Sequence, residues 1–88
     1  MLNERLYGCR VCGLIQDSAP WGLDGRSPSF DICPCCGVEF GYEDATLVSI
    51  LVFRQKWLED GAPWWDSELK PGGWDLALQL ESVPPEYL

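Results

Sequence analysis

The chain has 88 residues, enough for one small domain, and its 47% hydrophobic and 23% charged residues are ordinary for a globular protein. It contains no histidine, which excludes histidine-based catalytic triads and histidine metal ligands and leaves thiol and carboxylate chemistry. Six Lys+Arg against fourteen Asp+Glu give a formal net charge of −8, which disfavours binding to nucleic acids or to anionic membranes.

The negative charge lies mainly in the second part of the chain. Residues 37–88 carry ten acidic and three basic residues, whereas residues 1–36 carry four and three. Two interpretations remain open: a plain solvated surface, or an acidic face that steers toward a basic partner protein. No apolar run could span a bilayer, and the N-terminus does not resemble a signal peptide, so we expect a cytoplasmic protein. In a reducing cytoplasm, closely spaced cysteines are metal ligands or redox centres more often than structural disulfides.

The first half of the chain is predicted to form short strands around two cysteine turns. We expect strands at about 5–7, 14–16 and 30–32, next to the two copies of the pattern Cys-x-x-Cys-Gly. The segment 17–31 between the turns contains two prolines and two glycines and therefore cannot form a long helix.

A helix is predicted from about 45 to 60, because apolar residues recur there mostly at three- and four-residue steps. Asp44 is the expected N-cap, and Gly61 with Pro63 ends the helix. The segment is apolar around most of its circumference, so we expect it to be covered by the rest of the chain, by a second copy or by another protein.

The remaining tail is irregular and rich in tryptophan. Asp75 is expected to cap a short helix from residue 76 to about 82, and the tail is expected to wrap back onto the main helix. The adjacent Trp64 and Trp65 have two interpretations: either they clamp the tail to the helix, or they form part of a protein-binding patch.

Four cysteines have the spacing of a metal site. Two Cys-x-x-Cys pairs separated by twenty residues can aim four sulfur atoms at one tetrahedral ion. The alternatives are disulfides, a redox-active dithiol or free cysteines. We predict zinc as the metal. Iron is the alternative, because tetrahedral thiolates accept either metal. The fifth cysteine, Cys35, is expected to point away from the metal. The predicted ligands are Cys9, Cys12, Cys33 and Cys36.

The residues from about 5 to 42 resemble the rubredoxin-like and zinc-ribbon families. The residues that match the way rubredoxins open are Tyr7, Cys9, Cys12, Gly13 and Ile15, and the run 33–37, Cys-Pro-Cys-Cys-Gly, matches their second turn. The same run also resembles small bacterial proteins with a Cys-Pro-Cys-Cys-Gly motif. The resemblance implies a metal-binding ribbon, and this chain adds a helix and a tryptophan-rich tail to it.

The predicted fold is a small α+β domain in which a rubredoxin-like zinc ribbon (1–42) packs against the main helix and the acidic tail (43–88) as one compact unit. We find no phosphate-binding loop and no nucleophile paired with a base, so we expect no enzymatic activity. The predicted function is a metal-binding protein with a structural four-cysteine site, acting as an interaction or adaptor module. The alternative is a rubredoxin-like iron electron carrier. The expected partner is a protein or a second copy of the chain, contacting the apolar helix and the Trp64–Trp65 region.

Overall fold

The computed structural model describes residues 4–88 and consists of turns and loops around three α-helices. Helix α1 spans Glu4–Tyr7, α2 spans Leu47–Glu59 and α3 spans Leu76–Leu80. Two short 3₁₀ helices, Ser67–Leu69 and Pro85–Tyr87, complete the described elements. The chain is folded to a radius of gyration of 12.0 Å.

The predicted strand-based ribbon, and with it the α+β fold class, is wrong. Within residues 4–88, strand pairing is limited to two isolated antiparallel bridges, Gly8 with Ile15 and Ile32 with Glu39. No strand or sheet forms in this part of the chain, and the segment expected as the first strand, 5–7, lies in helix α1. A rubredoxin-like ribbon is therefore not the architecture of this protein.

The backbone before the second bridge explains why no strand forms there. Phe30 has a φ of +61°, a left-handed conformation that interrupts an extended chain. The segment around Pro28 and Phe30 also crosses closely over Gly41, where an added Cβ would lie 2.5 Å from Pro28 and 2.8 Å from Phe30. This crossing requires a bend where a strand would need an extended chain.

Helix α2 occupies most of the segment predicted to be helical. Thr46 is its N-cap, since the Thr46 side chain accepts a hydrogen bond from the backbone N–H of Ser49 at 3.1 Å. The prediction of Asp44 as N-cap is wrong, because the Asp44 side chain is buried and accepts hydrogen bonds elsewhere. The helix ends at Glu59, with Asp60 as its C-cap, and Gly61 follows with a φ of +94°.

The core lies between the cysteine turns and one stripe of α2. Helix α2 contributes Ile50, Arg54 and Trp57 to it, at i, i+4 and i+7 spacing. All five cysteines are buried, so thiol groups make up a large part of the apolar interior. The buried hydrophobic cluster consists of Cys9, Val11, Cys12, Cys33, Cys35, Cys36, Val38, Phe40, Ile50, Trp57 and Ala62.

The C-terminal tail packs against this core through aromatic contacts. The ring of Trp74 lies 5.5 Å from that of Trp64 in an edge-to-face arrangement and 6.4 Å from that of Trp57. Helix α3 follows, capped by Asp75, whose side chain accepts from the N–H of Leu78. Among the described residues, no helix has the length and apolarity that crossing a membrane requires.

Candidate metal centre

Two loops with the same backbone hydrogen bonds carry the cysteines, and we call them the first knuckle (8–15) and the second knuckle (32–39). In the first knuckle, the N–H of Cys9 donates to Leu14 O at 3.0 Å and the N–H of Gly13 donates to Cys9 O at 2.9 Å. In the second, Cys33 donates to Val38 O and Gly37 to Cys33 O, both at 2.9 Å. The isolated bridges close the two loops at equivalent positions.

A glycine ends each Cys-x-x-Cys turn for a conformational reason. Gly13 and Gly37 have φ values of +85° and +82°, in the left-handed region that residues with a Cβ rarely adopt. Space is also restricted at both positions. An added Cβ would lie 2.3 Å from Gln79 O at Gly13 and 2.7 Å from Trp65 Cε3 at Gly37.

The knuckles bring the four predicted ligands together. Their four Sγ atoms all lie within 4.8 Å of one another; the residues are Cys9, Cys12, Cys33 and Cys36. The Sγ–Sγ distance is 3.7 Å for both the Cys9–Cys36 and the Cys12–Cys33 pair. Zinc–sulfur bonds of about 2.3 Å at tetrahedral angles separate the sulfurs by about 3.8 Å, whereas a disulfide needs about 2.05 Å. The arrangement therefore fits a tetrahedral metal ion, and the four cysteines could hold one.

Burial sets the electrostatics of the four thiols. Cys9, Cys12 and Cys33 have no solvent exposure, and Cys36 has 7%. Burial is the main cause that raises the pKa of Cys12 and the pKa of Cys36 well above the usual thiol value. Hydrogen bonding, first of all from Cys12, lowers the pKa of Cys33 instead. A divalent cation bound here would compensate the negative charge of four thiolates.

The fifth cysteine lies beside the cluster but outside the group of four. Cys35 is fully buried, and its Sγ accepts a hydrogen bond from Gln79 Nε2 at 3.3 Å. A hydrogen bond with the Cys12 thiol is the main cause that lowers the pKa of Cys35. Gln79 Nε2 also donates to Cys12 O at 3.2 Å, so α3 contacts both knuckles through one side chain.

The second half of the chain binds the outward-facing carbonyls of both knuckles. Arg54, on α2, donates from Nε to Val11 O at 2.7 Å and from Nη2 to Arg10 O at 2.8 Å. The equivalent carbonyls of the second knuckle accept from two consecutive backbone amides. Trp65 N–H donates to Cys35 O and Asp66 N–H donates to Pro34 O, both at 2.9 Å.

Arg54 also reaches the C-terminus, because its Nη2 donates to Tyr87 O at 2.5 Å. The sequence did not indicate this role of Arg54, because a single arginine in an otherwise apolar helix is expected to extend into solvent. The signal that could have found it is its spacing. Arg54 lies four residues after Ile50 and three before Trp57, on the stripe that is buried.

The other residues of interest lie apart from the four sulfurs. Trp21 donates its indole N–H to the Asp44 carboxylate at 2.9 Å, and the Arg10 guanidinium stacks over its ring at 4.0 Å. Trp64 is half-buried, whereas Trp65 is 66% exposed. In the described part of the chain, no acidic residues assemble a second group with the spacing of a metal site.

Comparison with known proteins gives two relatives. No protein-family model matches the chain, and no solved structure matches it. YoaQ of Bacillus subtilis (strain 168) is 39% identical to this chain over 75 residues, and the alignment covers 66% of this chain and 62% of YoaQ. YozI is 37% identical over 75 residues, covering 65% of this chain and 60% of YozI.

Both relatives are described as uncharacterized proteins, so their names carry no function to transfer. The chain spans 62% and 60% of their lengths, about three fifths in each case. The task of the whole protein must therefore be proposed from the site and the surface described above.

Proposed function

We propose that this protein is a metal-binding protein without enzymatic activity, in which one ion held by four thiolates has a structural role. The observation that carries the proposal is the convergence of four buried sulfurs within 4.8 Å of one another. Four protein ligands complete a tetrahedral site and leave no position for a substrate or a catalytic water. The residues that would hold the ion are Cys9, Cys12, Cys33 and Cys36.

Zinc is the proposed ion, and its proposed task is to fold the chain. Structural zinc sites in small peptides contribute an apparent binding free energy of about 10–16 kcal/mol, most of which is folding free energy. This chain needs such a contribution, because cysteines form much of its buried cluster and α2 adds Ile50 and Trp57 as its buried apolar residues, with Phe53 packed partly buried against them. Without an ion, the four buried thiols contribute only as small apolar groups, which is far less than the binding free energy of a structural zinc ion.

The test of this role is metal removal under reducing conditions. Zinc-loaded protein is treated with a chelator, and backbone amide NMR spectra are recorded before and after verified metal loss. We expect the dispersed signals of both knuckles to collapse and to return on addition of one equivalent of zinc. Unchanged dispersion in the metal-free protein would contradict a structural role.

Iron electron transfer remains the second candidate, and one feature supports it. Cys36 is the only one of the four with solvent exposure, and it lines an apolar cleft together with Phe53, Trp57, Trp64 and Trp65. An electron could reach an iron site along this route. The metal content of protein isolated from its natural cell distinguishes the two candidates. A coloured, iron-loaded site that is reversibly reduced supports the electron carrier. Colourless, zinc-loaded protein supports the structural role.

The proposed interaction surface is the solvent-facing side of α2. Its aliphatic side chains are 38–72% exposed, with Val48 at the upper end. No charged residue occurs between Leu47 and Phe53. We call this surface the α2 face, and it consists of Leu47, Val48, Leu51, Val52 and Leu58.

The partner that fits the α2 face is a protein with apolar residues in basic surroundings. The apolar area is on the order of 400–500 Å², in the range where surface patches are often functional. It is smaller than the roughly 800 Å² per partner of a stable interface, so it does not suffice for a tight dimer by itself. A second copy would also bring together two chains of net charge −8, whereas a basic partner would be attracted.

A further inference from the structure

The two knuckles are held by donors of different charge. In the second knuckle, the carbonyls of Pro34 and Cys35 accept from neutral backbone amides. In the first, the equivalent carbonyls of Arg10 and Val11 accept from the guanidinium of Arg54. In the second knuckle, neutral donors are sufficient to maintain the loop geometry. The positive charge at the first knuckle therefore needs a separate explanation.

The charge of the occupied site supplies that explanation. A divalent ion with four thiolates carries two net negative charges, and burying net charge away from water is costly unless opposite charge lies nearby. Asp44 and Arg54 are the buried charged residues of the described chain. Asp44 is negative and interacts with Trp21 and Gly41 N–H, so it cannot compensate the thiolates.

Arg54 is placed for this task. Its guanidinium donates to the carbonyls of Arg10 and Val11, the two residues between the predicted ligands Cys9 and Cys12, although burial lowers its pKa. Arginine nevertheless stays protonated in proteins, so the charge is permanent. Two peptide planes of the first knuckle are fixed by its planar fork, which lysine's single ammonium cannot reproduce.

We propose that Arg54 is a positioning residue of the four-thiolate site, which both orients the first knuckle and supplies the buried positive charge that the metal-bound thiolates require. This inference rests on the metal site proposed above. It makes metal affinity, and the reduction potential of an iron-substituted site, depend on a residue that is not a ligand.

The test compares three proteins with the wild type: Arg54→Gln, which removes the charge, Arg54→Lys, which keeps it, and Arg26→Gln, which removes an exposed charge from the loop between the knuckles. Cobalt(II) affinity is measured from the thiolate-to-cobalt absorption in competition with a chelator. The reduction potential is measured on iron-substituted protein by spectroelectrochemical titration.

We expect Arg54→Gln to weaken cobalt binding by at least tenfold and to shift the iron potential to more negative values, because the reduced site carries one more negative charge than the oxidised site. Arg54→Lys should lose affinity through the missing fork but keep a potential near that of the wild type. Arg26→Gln should change the cobalt affinity by no more than about twofold and should leave the iron potential near that of the wild type.

Wild-type affinity and potential in Arg54→Gln would overturn the inference. If Arg54→Gln binds no metal, Arg54→Lys decides. If Arg54→Lys binds the ion and has a near-wild-type potential, the role of the charge is supported. If Arg54→Lys also binds no metal, the role of the charge is contradicted. If the wild type itself binds no cobalt, the metal site has failed and not the role of Arg54.

Discussion

The indole N–H of Trp21 donates to the carboxylate of Asp44 at 2.9 Å, which joins the loop between the knuckles to the segment that precedes α2. Asp44 has no solvent exposure, and its second oxygen accepts from the backbone N–H of Gly41 at 2.7 Å. One buried carboxylate therefore satisfies two donors that are distant in sequence from each other.

Replacing this carboxylate should destabilise the fold. Asp44→Ala leaves the N–H groups of Trp21 and Gly41 without their acceptor, and an unsatisfied buried donor costs about 1–3 kcal/mol. The free energy of unfolding is measured by urea denaturation of zinc-loaded protein. The exposed Asp17→Ala is the control and should change stability by less than about 0.5 kcal/mol. Equal stability of the two variants would contradict the structural role of Asp44.

Gly37→Ala should be more harmful than an alanine at another glycine of the same conformation. At Gly37 the new Cβ would lie 2.7 Å from Trp65 Cε3, whereas at Gly25, with a φ of +72°, no atom lies within 4 Å. Both variants have left-handed strain of about 1–2 kcal/mol, and Gly37→Ala adds overpacking of about 1–3 kcal/mol. Chemical denaturation of both zinc-loaded variants checks this order, and a larger loss for Gly25→Ala would contradict it.

Serine at Val48 and Val52 should remove binding by the α2 face without unfolding the protein. Both side chains are mostly exposed, so the change should alter the free energy of unfolding by about 0.5 kcal/mol or less. The probe is an amphipathic helical peptide of leucine and lysine, titrated into labelled protein and followed by amide chemical shifts. We expect shifts on α2 in the wild type and at least a fivefold weaker affinity in the double variant.

Two outcomes would contradict this assignment of the α2 face. One is peptide binding of equal strength in the double variant, which indicates that the acidic charge alone attracts the peptide. The other is a stable dimeric mass of the wild type in light scattering that becomes monomeric in the double variant. That result would make a second copy, and not a basic protein, the occupant.

The cysteine site was predictable because its information is local. In each Cys-x-x-Cys-Gly turn, residues five positions apart or fewer, such as Cys9 and Gly13, determine the hydrogen bonds that aim the sulfurs. Helix α2 was predictable for the same reason, since its apolar spacing and the Gly61 stop lie within one segment.

The errors concern contacts between distant segments. The expected strands depend on extended backbone, but Phe30 takes a positive φ where its segment crosses Gly41. Local sequence predicts Asp44 as a helix cap, whereas its hydrogen-bond partner Trp21 lies 23 residues earlier. The role of Arg54 was not predictable, because the carbonyls that it binds lie 43 and 44 residues earlier and come close to it only in the folded chain.

The most direct test of the proposed site is the metal content of two neighbouring cysteine variants, Cys35→Ser and Cys36→Ser. Both side chains are buried, but only the sulfur of Cys36 lies within the group of four. Bound zinc is counted per chain after purification under reducing conditions. We expect about one zinc per chain in the wild type and in Cys35→Ser, and much less than one zinc per chain in Cys36→Ser. Loss of zinc in Cys35→Ser with retention in Cys36→Ser would contradict the assignment of the four ligands.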